Sequence, residues 1–302
     1  GSIFTEVSVG RANGSPLPNT GQVSAYTSAV FGYIGSGEES QCTLTNCENS
    51  GTVNFNSGSM RTVYASGINS ICAGILHIEN CTNSGDVIVN KDVDCLYVYA
   101  GGVIASSKNA VAVTFPYCSN KGNVKVLAKV ETTARVGGIF GQSDCAFGEE
   151  ESVASKVVGV ENSGVVSFSG TTKDVVIGGY AGAYSETFHM LEFVNTSLGT
   201  VLFDGRATNS VKIGGYAGDG SLAMGGDLTV ANQGKVVVNG YAPTLYVSGG
   251  FGYAVLEGDG DIAGMKNYGI VEMPAPGETT EFPTTIYMGG LFGEASLGTG
   301  FS

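Results

Sequence analysis

The stretch at residues 160–182, VENSGVVSFSGTTKDVVIGGYAG, decides the fold. It holds a turn (Asn162-Ser163-Gly164), an alternating strand around Val166 and Phe168, a second strand around Val175 and Ile177, and a glycine pair, Gly178-Gly179. The same order recurs along the chain. Turn glycines stand at Gly21, Gly51, Gly85, Gly122, Gly164, Gly234 and Gly269, and Asn195 with Gly199 forms a copy stretched by two residues. A glycine leading into an apolar residue closes each second strand, at Gly32, Gly67, Gly102, Gly138, Gly179, Gly215, Gly250 and Gly290. Those markers lie 35, 35, 36, 41, 36, 35 and 40 residues apart, which divides the chain into eight units. A period of about 35 residues is the signature of a repeat architecture.

The units begin near residues 17, 47, 81, 118, 160, 193, 230 and 265. Residues 17–302 therefore read as one repeat domain, preceded by a cap segment at 1–16 that covers the open end of the stack. Two residues past each turn glycine stands a valine: Val23, Val53, Val87, Val124, Val166, Val201, Val236 and Val271. Four residues past it come Ala25, Phe55, Val89, Val126, Phe168, Phe203, Val238 and Met273, with polar residues between. This alternation is a strand with one buried face. A second strand repeats it, with Val63, Val98, Ala134, Val175, Val211, Tyr246 and Ile286 in one inward slot. A third, weaker strand leads into the next turn, as in residues 75–81, 111–118 and 188–193.

Three short strands per unit fit a parallel β-solenoid of about eight coils better than a propeller, whose blades take four strands and roughly 40–45 residues. The turn asparagines support that choice, because coils stacked about 4.8 Å apart let each amide donate to the next. The crossover preference of parallel strands makes the coil right-handed. The fold class expected is all-β, a right-handed parallel β-helix.

Composition narrows the function. Glycine contributes 48 of 302 residues, and charged residues only 14%, against about 25% in average chains. With 27 acids against 14 bases the net charge is −13, the wrong sign for a nucleic-acid binder. No apolar run reaches the ~18 residues of a membrane span. The seven cysteines form no CxxC pair, so neither a disulfide framework nor a zinc site is indicated. An acidic surface rich in Ser, Thr, Asn and Gly is compatible with a secreted or cell-surface protein.

The strings GGIFGQ, GGYAGA, GGYAGD and GGLFGE, alternating with CENSGTV, CTNSGDV and CSNKGNV, resemble the GLUG-type repeats of bacterial cell-surface proteins. The resemblance covers nearly the whole chain. It implies an exported, surface-associated, adhesion-like β-solenoid, whose partners are a glycan or a host or cell-surface protein. It brings no catalytic residues.

Candidate chemistry is sparse. Cys47, Cys81 and Cys118 share a slot with Leu17, Val160, Phe193, Val230 and Met265, which makes it an apolar core position. The histidines, His77 and His189, stand in non-adjacent units without metal-ligand spacing. Acids collect between the glycine marker and the third strand, among them Glu38, Asp144, Glu149, Asp219 and Glu294. Within that edge Glu257-Gly-Asp259-Gly-Asp261 offers alternating carboxylates to calcium. The plainer reading is solvated charge that discourages sheet growth. A polysaccharide lyase or glycoside hydrolase of the β-helix type is the enzymatic alternative. It would need clustered outward carboxylates or a base, whereas the strands show only scattered Asp86, Lys125, Arg135, Asp174 and Lys212. Binding is therefore favoured over catalysis. The binding strip expected is Tyr64, Tyr97 and Tyr99, outward on the second strand of neighbouring coils, where aromatic rings can receive a sugar.

Overall fold

The computed structural model describes residues 6–9, 24–34, 41–72, 75–107, 112–114, 116–143, 156–184, 190–223, 227–257, 262–273 and 281–298. The described residues form an all-β parallel solenoid, with no helix among them. Its strands form a 14-stranded sheet, an eight-stranded sheet, a seven-stranded sheet and a three-stranded sheet. The first two strands of each unit build the 14-stranded sheet, the strand after the glycine pair builds the eight-stranded one, and the asparagine turn builds the seven-stranded one. Among the described residues the stack amounts to about five turns, ~36 residues apart, fewer than the eight coils expected.

The valine column holds: Val53, Val87, Val124, Val166, Val201 and Val236 are stacked in register and wholly buried. Val271 continues it, half-buried on the last described coil. In coils two and three the first and second strands run together as Thr52–Ser66 and Val87–Gly101. From coil four they separate, as Val124–Val126 and Lys129–Gly137, then as Val165–Phe168 and Thr171–Gly178 around Ser169-Gly170, where a Cβ on Gly170 would lie 1.9 Å from the Ala128 carbonyl oxygen.

Each coil encloses two cores. One gathers the first and second strands, around Phe55, Val98, Phe168 and Ile213. The other gathers the strand after the glycine pair and the cysteine slot, around Ile104, Cys118, Tyr180, Phe193 and Tyr216. The chain passes from one core to the other at the two repeated markers, and these touch. Asn49, Asn83, Asn120, Asn162, Asn195, Asn232 and Asn267 form a ladder, each side-chain amide donating to the next carbonyl at 2.7–2.9 Å. A Cβ added to Gly138 would lie 2.6 Å from the Asn162 side chain, and the equivalent glycines of coils two to seven abut the following asparagine likewise. Glycine is required because the ladder occupies the space a side chain would fill.

A second column sits one residue before the cysteine slot. Asn46, Asn80, Tyr117, Gly159 and Gly264 have positive φ, from 51° to 80°, a left-handed corner that Asn and Gly tolerate best. Asn80 donates to Asn46 at 2.5 Å there.

Three sequence assignments shift. Glu6–Val9 pairs with Thr52–Phe55, and Ser24–Ser28 with Thr62–Ser66. Ala25 thus stands on Val63, in the second-strand column, and Val7 and Val9 take the register positions assigned to Val23 and Ala25. The same register puts Ala29, not Gly32, in the marker position beside Gly67. At the other end Gly214 pairs with Ser248, so the marker is Gly249 and Gly250 falls in the Tyr216 column. Ser248-Gly249-Gly250-Phe251-Gly252 offers overlapping glycines, and the space beside Asn267 selects Gly249. The inward slot of that coil accordingly belongs to Leu245, which pairs with Val211 and Ile286; Tyr246 points outward.

Candidate functional site

The outward slot between the two buried positions of the second strand makes one column along the solenoid. Its members are Tyr26, Tyr64, Tyr99, Arg135, Val176, Lys212, Tyr246 and Tyr287. Parallel in-register strands bring equivalent side chains about 4.8 Å apart, so flat rings in that column stack. Tyr26 lies on Tyr64 with centroids 5.1 Å apart and planes 8° from parallel, and Tyr64 on Tyr99 at 5.2 Å and 21°. The Arg135 guanidinium lies over the Tyr99 ring, 5.9 Å from its centroid. Burial, followed by the neighbouring Tyr99 and Tyr26 hydroxyls, pushes the Tyr64 phenol up to about 12.

The stack changes what the expected strip presents. Tyr64 spends both ring faces on its neighbours, so the column shows ring edges and hydroxyls. Tyr97 stands two residues before Tyr99 on the same strand face, in a column with Thr62 and Thr133. Small neighbours leave its ring outside the stack, and it makes no ring contact among the described residues. The structure thus brings Tyr64, Tyr97 and Tyr99 onto one face but divides them: two rings in a ladder, one beside it. The sequence reading missed Tyr26, because the first coil was aligned on Val23; registering Ala25 with Val63 would have found it.

A second aromatic group occupies the same column near the last coil. Tyr246 stacks on Tyr287 at 5.0 Å and 5°, and Tyr253 meets Tyr246 edge-on at 6.0 Å. Lys212 bonds Asp219 at 2.6 Å and lies 4.2 Å from the Tyr253 centroid. This group was hidden from the sequence by the inward placing of Tyr246.

Of the residues weighed for catalysis, Asp86 and Lys125 meet as an ion pair, and Asp174 and Lys212 bond other partners. Asp86 pairs with Lys125 at 3.0 Å on the outer face of the first strand. Hydrogen bonds from the Asn123 backbone and the Lys125 ammonium hold its carboxyl below the usual range, against the opposing effect of burial. Asp174 accepts from Asn209 at 2.7 Å and Ser210 at 2.6 Å. Glu257 ends the strand Phe251–Glu257, half-buried, while Asp259 and Asp261 lie outside the described residues, as does His189. Among the described residues no three His, Cys, Asp or Glu side chains converge as metal ligands.

Cys47, Cys81 and Cys118 carry unlinked thiols in the inner column. Cys81 and Cys118 point their sulfurs at carbonyls of the preceding coil, Leu44 and Ile78, at 3.5 and 3.4 Å. They act there as small buried side chains. His77 stands on Ile75–Glu79, between Thr43 and Thr114 in register.

No helix among the described residues is long and apolar enough to cross a membrane. Comparison with protein-family models, with curated proteins and with solved structures finds no match to this chain.

Proposed function

We propose that this chain is a non-enzymatic binding module of a secreted or cell-surface protein, holding a glycan along the outer face of its second strands. The observation that carries the reading is the Tyr97 ring, which lies on the same strand face as the Tyr26–Tyr64–Tyr99 stack but in the neighbouring column with Thr62 and Thr133. A sugar ring laid on Tyr97 would find apolar contact below and phenolic donors and acceptors from Tyr64 and Tyr99 alongside. Thr62 and Thr133 flank it on either coil. A strip on rigid stacked strands is preorganised, so little entropy is lost when an extended ligand lies along it. The likeness to GLUG-type repeats supports the same location and role.

A glycan array identifies the ligand, and calorimetry on Tyr97→Ser and Tyr64→Ser decides the geometry. The expected outcome is that Tyr97→Ser lowers affinity at least tenfold, about 1.4 kcal/mol, while Tyr64→Ser costs less. Equal binding by folded Tyr97→Ser and parent protein removes the strip from consideration. The absence of any reducing-sugar release from the bound glycan is expected too.

A further inference from the structure

We infer that the glycan carries an acidic group, a carboxylate or a sulfate, and that Arg135 is the residue that receives it. The inference rests on the glycan reading and adds the charge of the ligand.

Three described bases with half-buried side chains lie on the outer strand faces: Lys125, Arg135 and Lys212. Lys125 has Asp86 at 3.0 Å and Lys212 has Asp219 at 2.6 Å. The exposed Lys129 and Arg206 are paired as well, with Asp94 and Glu281. Among the described residues Arg135 has no carboxylate within bonding distance, although acids outnumber bases 27 to 14 in the chain. The acid on the same face of the following coil is Asp174, in register with Thr133. Its carboxylate is engaged by Asn209 and Ser210.

The Arg135 Nε is shut away from solvent without a hydrogen-bond acceptor among the described residues. Leaving a charged donor in that state costs free energy, and since solvent does not reach Nε, an incoming oxyanion would be met by the two Nη groups. The guanidinium is also held in place. Tyr99 lies beneath it at 5.9 Å, and Thr133 precedes it by two residues on the same face. An arginine stacked on an aromatic ring keeps its planar fork for two parallel bonds to a carboxylate or sulfate. Tyr97 lies beside Thr133 in the neighbouring coil. A sugar seated on Tyr97 would therefore direct an acidic substituent diagonally toward Arg135, which is in register with Tyr99, one strand across and two residues along, roughly 8 Å away.

The test compares three oligosaccharides of equal length: a uronic-acid oligomer, its carboxyl-reduced neutral counterpart, and a sulfated form of the latter. The parent protein is expected to bind one of the two acidic forms at least tenfold more tightly than the neutral form. Arg135→Gln should abolish that difference, with Arg135→Lys between the two. The inference is overturned if the neutral oligomer binds as well as both acidic ones, or if Arg135→Gln keeps the acidic preference. Either result leaves the glycan reading in place. Binding of none of the three, nor of any arrayed glycan, overturns both. Should Arg135→Gln fail to fold, Arg135→Lys alone decides, because it keeps the charge and removes the fork.

Discussion

Asn162 illustrates how one residue type can specify this molecule. Its amide donates to Asn195 at 2.9 Å and to the Gly164 carbonyl at 3.1 Å, and its carbonyl accepts from Asn120 at 2.9 Å. The side chain is fully buried, so each of those bonds exists in place of water. Buried polar groups without partners cost about 1–3 kcal/mol apiece. Asn162→Ala removes one member and orphans two, the Asn120 donor and the Asn195 acceptor. The expected loss is roughly 2–4 kcal/mol, read as a lower urea midpoint at unchanged slope. A loss under about 0.5 kcal/mol, the size of an ordinary surface change, would mean that the ladder is not what aligns the coils. Ser163 beside it is half-buried, and Ser163→Ala serves as the control.

At the scale of the strand, register turns one tyrosine into a stack, and the stack has a pH signature. Tyr64 is raised from 10.0 to about 12, by burial first and then by Tyr99 and Tyr26. The neutral phenol is therefore the form the fold favours. Below pH 10 both folded and unfolded chains keep the proton, and the full stability is present. Between 10 and 12 the unfolded chain ionises while folded Tyr64 does not, so stability falls as pH rises through that window. Tyr64 is half-exposed, and solvent screening keeps the loss below the ~1.4 kcal/mol per unit of a fully desolvated group. Tyr64→Phe should flatten the fall in denaturation midpoint between pH 10 and 12; an unchanged slope would show that the stack does not hold the proton. The strands themselves were legible in the sequence because the valine and asparagine columns repeat without exception from Val53 to Val271. The misplacements fell where glycines overlap, at Gly249-Gly250, or where a unit departs from its neighbours, at Val23. A one-residue slip reverses the facing of every side chain, which is how Tyr246 was placed inward. The sequence placed Tyr64 and Tyr99 in one column of neighbouring coils, but that their rings lie face to face with Tyr97 outside depends on ring orientation, which alternation does not encode.

Taken whole, the molecule is a one-dimensional stack, and its stability should vary along the axis. An inner coil packs on two neighbours, the last described coil on one. The side chains record this. Val175 and Ile177 are fully buried, whereas Ile286 and Met288, in the same two columns, are 49% and 48% exposed. The ladder does likewise: a Cβ on Gly138 meets Asn162 and one on Gly249 meets Asn267, but one on Gly290 meets nothing within 4 Å among the described residues. Losing one interface removes both the apolar burial and the ladder bond that an inner coil gains on that side. Local opening should then be easiest at the last coil and hardest in the middle. Hydrogen exchange followed by mass spectrometry on the intact chain measures this directly. Amides of Thr171–Gly178 are expected to exchange at least tenfold more slowly than those of Thr285–Gly289, although both are second strands of the same sheet. Asn162→Ala should narrow that difference, because it weakens two central interfaces and leaves the last coil's own contacts intact. Equal protection along the axis would mean that the coils open only together, and the picture of additive neighbouring interfaces would give way to a single cooperative unit.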